Sequence, residues 1–192
     1  MRFGFVTLGA NVPSTRFRFY PYEKPLRARG HRVSTWTSYP SVYDYFPKLG
    51  WRVSYQIKRA NRIWQYSQAK WLRPDTIYLE RGVFHDQSLW LDRWFRKVSR
   101  RFVLDVDDAI FLQFPDKTKQ LIQWSDHVVV SNQPLYEYVA QYHSKITEIP
   151  TEGLQSERGC KACPWVDWNL FKFAFFVSLR TGSEAIGKGD SL

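Results

Sequence analysis

Three carboxylates stand together in Leu104-Asp105-Val106-Asp107-Asp108, at the end of an apolar run. Carboxylates this close repel one another unless a cation, an arginine or a proton relieves them. Facing a cleft, they can accept a proton from an attacking hydroxyl or steady a developing positive charge, and Asp105 with Asp107 can act as an aspartyl nucleophile with its acid/base partner. A role without chemistry is the lesser alternative: Asp107 or Asp108 before a turn can cap it with a side-chain oxygen. Other small or polar residues follow the neighbouring apolar runs: Gly9, Ala10 and Asn11; Glu80, Arg81 and Gly82; Ser131 and Asn132. That recurrence matters because open parallel sheets bind ligands beyond the carboxyl ends of their strands.

The elements that must hold these residues are legible as an alternation. Runs rich in β-branched and aromatic residues at 2–8, 31–36, 76–79, 102–106, 127–130 and 145–149 are separated by helical stretches, the pattern of a parallel sheet built from βαβ units. The expected fold is therefore α/β and Rossmann-like, with helices on both faces of the sheet. Ser14 or Thr15 is read as the cap of a first helix that Gly30 closes, with Pro21 and Pro25 bending or shortening it. The stretch 51–72 repeats Val53, Ile57, Ala60, Trp64 and Trp71 on one helical face, while Arg52, Tyr55, Arg59, Arg62, Tyr66, Lys70 and Arg73 share the other. Further helices are expected at 87–97, 116–124 and 134–142. Beyond Thr151 neither period continues, so 1–151 reads as one domain and 152–192 as an irregular tail.

Composition narrows the partners. The chain has 192 residues, 44% apolar and 24% charged, which argues for one globular core. A net charge of +10 and nine Trp favour an anionic partner. The basic run Arg93, Arg96, Lys97, Arg100 and Arg101, together with the Arg and Tyr face of 52–73, suits an anionic membrane surface as well as plain solvation. No nucleic-acid motif accompanies the charge, so no nucleic-acid partner is expected. Cys160 and Cys163 alone rule out a disulfide scaffold and lack the company of a zinc knuckle. His31, His85, His127 and His143 are scattered, and neither GxGxxG nor a P-loop occurs. With no signal-peptide pattern and no spanning stretch of about 20 apolar residues, the expected location is cytoplasmic or peripheral on the inner face of a membrane.

Four segments in order carry a resemblance: STRFRFYPYEKPLRARGHRV at 14–33, DTIYLERG at 75–82, RRFVLDVDDAIF at 100–111 and WSDHVVVSNQPLYEYVAQYHSKITEIPT at 124–151. Together they resemble the N-terminal domain of group 1 (family 4) GT-B glycosyltransferases. The resemblance implies the N-terminal half of a GT-B fold and a peripheral enzyme of polysaccharide or lipid-linked glycan synthesis. It implies a nucleotide-sugar as donor substrate, a glycan or lipid-linked acceptor, no cofactor and no metal. It places Asp107 at the reaction centre, with Asp105 and Asp108 beside it, Gly9, Ala10 and Arg16 near the donor phosphates, and Arg18 and Arg81 near the acceptor.

The family continues past the Ile149-Pro150-Thr151 motif into a donor-binding domain, whereas this chain departs from the pattern after Thr151. The expectation is a truncated or frameshifted chain, or one working with a separate donor-domain chain, and negligible activity alone because donor and acceptor must be held together. Two rivals stand: a Mg²⁺-dependent phosphatase of the haloacid-dehalogenase type using Asp105 and Asp107, and a noncatalytic basic membrane-surface module.

Overall fold

A computed structural model describes residues 1–149. The irregular tail expected from 152, with its two cysteines, lies outside the described residues. Six strands form one all-parallel sheet: β1 (Arg2–Thr7), β2 (Arg32–Thr37), β3 (Thr76–Glu80), β4 (Arg101–Val106), β5 (His127–Val130) and β6 (Ile146–Glu148). Their order is β2-β1-β3-β4-β5-β6. The chain steps outward from β1 to β2, then crosses back to β3 on the other side of β1. Its direction reverses between β1 and β3, the switch point where doubly wound sheets leave a crevice. This is the expected Rossmann-like α/β fold.

Helices α1 (Pro13–Arg18) and α2 (Tyr20–Ala28) cover one face; α3 (Gly50–Leu72), α4 (Trp90–Val98), α5 (Pro115–Trp124) and α6 (Gln133–Ala140) cover the other. The four inner strands β1, β3, β4 and β5 are buried on both sides, and their alternation sorts the core. Phe3, Phe5, Tyr78 and Val103 pack with Phe19, Tyr22 and Leu26 of the α1–α2 side. Ile77, Leu79, Phe102, Leu104 and Val128 pack with Leu91, Phe95, Leu121 and Val139 of the other helices. Gly4 lies against the Trp36 ring, where any side chain would collide with the indole.

The first helical stretch departs from expectation. It breaks at Phe19 (φ −124°, ψ −55°) into α1 and α2, with Pro21 in the first turn of α2. Ser14 and Thr15 sit inside α1 instead of capping it, and their hydroxyls are used elsewhere. Gly30 does close the segment in the left-handed region, at φ 80°.

Helix α3 is turned over relative to its apolar period. Ser54, Arg62, Gln65 and Ala69 face the protein, while Val53, Trp64 and Trp71 are exposed. The cause lies in the strand ends beneath it, whose carbonyls offer lone pairs that polar side chains of the helix can meet; Thr7 O also accepts from Ser38 N at 3.1 Å. Arg62 Nη2 donates to Thr7 O at 2.7 Å and Nη1 to Trp36 O at 3.1 Å, and Gln65 Nε2 donates to Thr37 O at 2.7 Å. Gln68 Oε1 in turn accepts from Trp36 Nε1 at 3.0 Å. A buried guanidinium and amide keyed to these oxygens outweigh a hydrophobic stripe, because polar groups enclosed without partners are costly. Burial lowers the Arg62 pKa to about 10, against the opposing pull of Asp92 and Glu80, so the guanidinium stays charged at neutral pH. Replacing Arg62 with Leu keeps most of the volume but removes the guanidinium from Thr7 O, Trp36 O and Gln65 Oε1, of which Thr7 O retains the Ser38 N–H. A loss of about 3 kcal/mol in urea unfolding is expected, with Arg62→Lys recovering part of it.

Candidate functional site

The crevice at the switch point is a cleft of about 870 Å³. Val12, Pro13, Ser14 and Phe17 of the α1 segment form one wall, and Asp107, Asp108, Ala109 and Ile110 after β4 form the other. Tyr43, Arg81 and His85 close its back. The volume is that of a small-molecule site.

Arg81 ties the wall after β4 to the back of the cleft. It follows β3 in the left-handed region at φ 56°, a conformation that a side chain bearing Cβ adopts at a cost of about 1 kcal/mol or more. Its backbone N–H donates to Asp105 O at 2.9 Å, which holds that turn. The guanidinium forks onto Asp107, with Nη2 to Oδ2 at 2.8 Å, while Nη1 reaches Asp108 Oδ2 at 2.7 Å and the Tyr43 hydroxyl at 2.6 Å. Burial works against its charge, but the hydrogen bonds and charges of Asp107 and Asp108 outweigh it and raise the pKa above the ordinary value. Ser131 Oγ donates to Asp107 O at 2.9 Å and so steadies the turn after β4 from the end of β5.

The loop after β1 is set by close approach. A Cβ on Gly9 would lie 2.6 Å from Ser41 Cβ, and Val42 N donates to Leu8 O at 2.9 Å. Only glycine lets the 38–44 segment pass this near, and that segment delivers Tyr43 to Arg81. On the opposite side, Asp92 Oδ1 accepts from Val83 N at 2.8 Å and Lys117 Nζ donates to Phe84 O at 2.7 Å, fixing the loop that carries His85. His85 packs edge-on to Tyr43 and Phe114, with ring centroids 5.1 and 4.9 Å away. Burial first, and then the charge of Arg81, lowers its pKa, so the imidazole is neutral at neutral pH.

Below the cleft, two buried carboxylates hold α1. Glu80, fully enclosed, accepts from Leu8 N at 2.9 Å, from Thr15 Oγ1 at 2.6 Å and from Ser14 Oγ. Burial pushes its pKa up to about 7 despite these three hydrogen bonds. Asp105, also fully enclosed, receives Arg18 Nε at 2.8 Å and Nη2 at 2.6 Å. Burial opposes charge on Arg18 as well, yet the carboxylate of Asp105 holds the guanidinium's pKa above its usual value.

The expected site residues therefore separate. Asp107, Asp108 and Arg81 meet at the cleft. Asp105 and Arg18 do not face it; they form the buried pair that docks α1 onto β4, and Arg18 also donates to Ile149 O at 2.9 Å. Gly9 shapes the rim without lining the cleft, Ala10 is exposed beside it, and Arg16 is exposed on α1 with its guanidinium over the Phe17 ring. In the basic run, Arg96 is taken up by Trp124 O at 2.9 Å and Asp126 Oδ1 at 3.1 Å, while Arg93 lies over the Trp124 ring and stays exposed. Nothing in the residue pattern marks Tyr43 or His85 for the cleft, whereas Glu80, one of the residues expected at a strand end, lies beneath it. Among the described residues, no cluster of three or more His, Cys, Asp or Glu side chains is arranged to hold a metal ion. Comparison with protein-family models and with curated proteins finds no match for the chain.

Two outcomes follow from the buried carboxylates. Arg18→Ala leaves Asp105 enclosed and unpaired and should cost about 3–5 kcal/mol. The Arg18→Met/Asp105→Leu double variant should lose much less than the sum of the single changes, a non-additivity read in denaturant unfolding. Glu80 titrates with the opposite sign to a salt-bridged acid. Its folded pKa is raised, so its contribution to stability is full below about 4.5 and is lost as the pH rises through about 7. The stability difference between the wild-type chain and Glu80→Gln should therefore fall by about 2–3 kcal/mol between pH 4.5 and pH 7.5, measured by unfolding at both ends.

Proposed function

We propose that residues 1–149 form the acceptor-side half of a GT-B-type glycosyltransferase, with the cleft after β1, β3 and β4 receiving a saccharide. The observation that carries this reading is the pairing of Asp107 and Asp108 with Arg81 and Tyr43 in the lining of the switch-point crevice. Vicinal sugar hydroxyls both donate and accept. Each oxygen of Asp107 retains a lone-pair direction beyond the one that Arg81 occupies, and the Tyr43 hydroxyl can turn to meet a ligand. In this reading Asp107, which lines the cleft, orients an attacking hydroxyl or steadies positive charge at the sugar, and neutral His85 in the same lining accepts a proton. The donor's phosphates would approach the loop at Gly9 and Ala10, as the resemblance of the four segments implies. Arg16, exposed on α1 with its guanidinium over the Phe17 ring, is the cation nearest in sequence to that loop. A second domain or chain would supply the rest of the donor site.

The phosphatase reading is less well supported. It needs Asp105 as nucleophile, and both Asp105 oxygens accept from Arg18 beneath the cleft floor.

The test is a glycan array probed with the 192-residue chain, with free nucleotide-sugars titrated separately by calorimetry. The reading expects a saccharide ligand whose binding weakens at least tenfold in Asp107→Asn and in Tyr43→Phe, in variants whose melting curves show that they remain folded. Mg²⁺-dependent hydrolysis of p-nitrophenyl phosphate that Asp107→Asn abolishes, with no saccharide bound, would replace it with the phosphatase.

A further inference from the structure

The inverted seating of α3 leaves an apolar surface outside. Along its outer face run Val53, Ala60, Trp64, Ser67 and Trp71, with Ile57 half-buried at one margin and Ile63 exposed at the other. These positions recur every three or four residues and so form one stripe down the full 23-residue helix. Trp64 is 63% exposed, Trp71 83% and Trp51, at the start of the helix, 67%. Tryptophans so uncovered on a helix with a well-ordered polar inner face are not excess core. They have been left out because Arg62, Gln65 and Gln68 hold the inner side.

Charge identifies what covers the stripe. Helix α3 contains Arg52, Lys58, Arg59, Arg62 and Lys70 and no Asp or Glu. Arg52, Arg59 and Lys70 lie along one margin of the stripe, at the same angular position within about a fifth of a turn. At the far end, Trp71 stands at the mouth of a recess of about 230 Å³ whose walls include Arg2, Arg32 and Ser34. We propose that this face of α3 docks on an anionic lipid bilayer, lying in the plane of the headgroups. Indole rings are suited to that boundary, where one edge meets hydrocarbon and the N–H meets water. Arginine and lysine beside them draw the helix to an acidic leaflet. A second copy of the chain is the poorer occupant, because it would press a wholly basic helix against its own like. No helix among the described residues is long and apolar enough to cross a membrane, so the attachment is to the surface. None of the stripe residues lines the cleft, and the inference stands independently of what the cleft binds.

The experiment is co-sedimentation of the full 192-residue chain with vesicles of phosphatidylcholine alone and of phosphatidylcholine with one quarter phosphatidylglycerol. Binding is expected with the anionic vesicles and not with the neutral ones, accompanied by a blue shift of tryptophan emission. Trp64→Ser/Trp71→Ser should weaken it at least tenfold, and Arg52→Gln/Lys70→Gln by several fold, with both chains melting as the wild type does because the altered side chains are exposed. Equal binding by the Trp64→Ser/Trp71→Ser chain, equal binding to neutral vesicles, or no binding at all would overturn the proposal. So would a dimer in light scattering that Trp64→Ser dissolves.

Discussion

Register across β3 and β4 places Glu80 beside Asp105, and the next turn adds Asp107 and Asp108. Four carboxyl groups at two adjacent strand ends are a constraint that the surrounding structure has to relieve. It does so in three different ways. Glu80 is surrounded by hydroxyls and a backbone N–H, and its raised pKa shows that burial has nonetheless won ground against them. Asp105 takes a guanidinium bidentately from α1. Asp107 and Asp108 share Arg81 at the cleft and keep contact with solvent.

These solutions define the architecture around the site. Because Ser14, Thr15 and Arg18 all reach down to the strand-end acids, α1 is bound to the sheet by polar contacts along its whole length. The wall of the cleft formed by Val12, Pro13 and Phe17 is therefore positioned by groups that never face a ligand. Likewise, the left-handed turn at Arg81 is held by its own amide on Asp105 O, so the buried acid beneath the cleft also orients the cation above it. A substrate entering the cleft would meet side chains already committed to one geometry, which lowers the ordering cost of binding.

Much of this was readable from residue order. The six strands follow from short β-branched runs, since parallel strands buried on both faces show themselves as continuous apolar segments such as FVLDV and HVVVS. The importance of the 105–108 carboxylates was equally visible. The division of labour among them was not, because it depends on side-chain direction: alternation along β4 sends Asp105 to the α1 face, and the turn carries Asp107 outward. Ser14 and Thr15 carried the composition of a cap, and nothing local reveals that a carboxylate 65 residues later would claim their hydroxyls. Tyr43 and His85 come from loops whose paths are set by Gly9, Lys117 and Asp92, contacts between segments far apart in the chain. The inversion of α3 escaped for the same reason. Its stripe has the period of a core helix, and only the hydrogen bonds from Arg62 and Gln65 to the strand-end carbonyls of Thr7, Trp36 and Thr37 explain why the other side is buried.

The attachment of α3 has a mechanical consequence. Apolar contacts tolerate sliding and small rotations, since one methylene serves about as well as the next, whereas hydrogen bonds lose strength steeply when misaligned. A helix keyed to three strand carbonyls by Arg62 and Gln65 cannot roll about its axis without breaking several bonds at once. One residue of rotation is about 100°, enough to carry the tryptophans from the outer face to the flank. The facing of this helix is thus locked by direction as well as by affinity, and the sheet can transmit a push on its outer side as a rigid body.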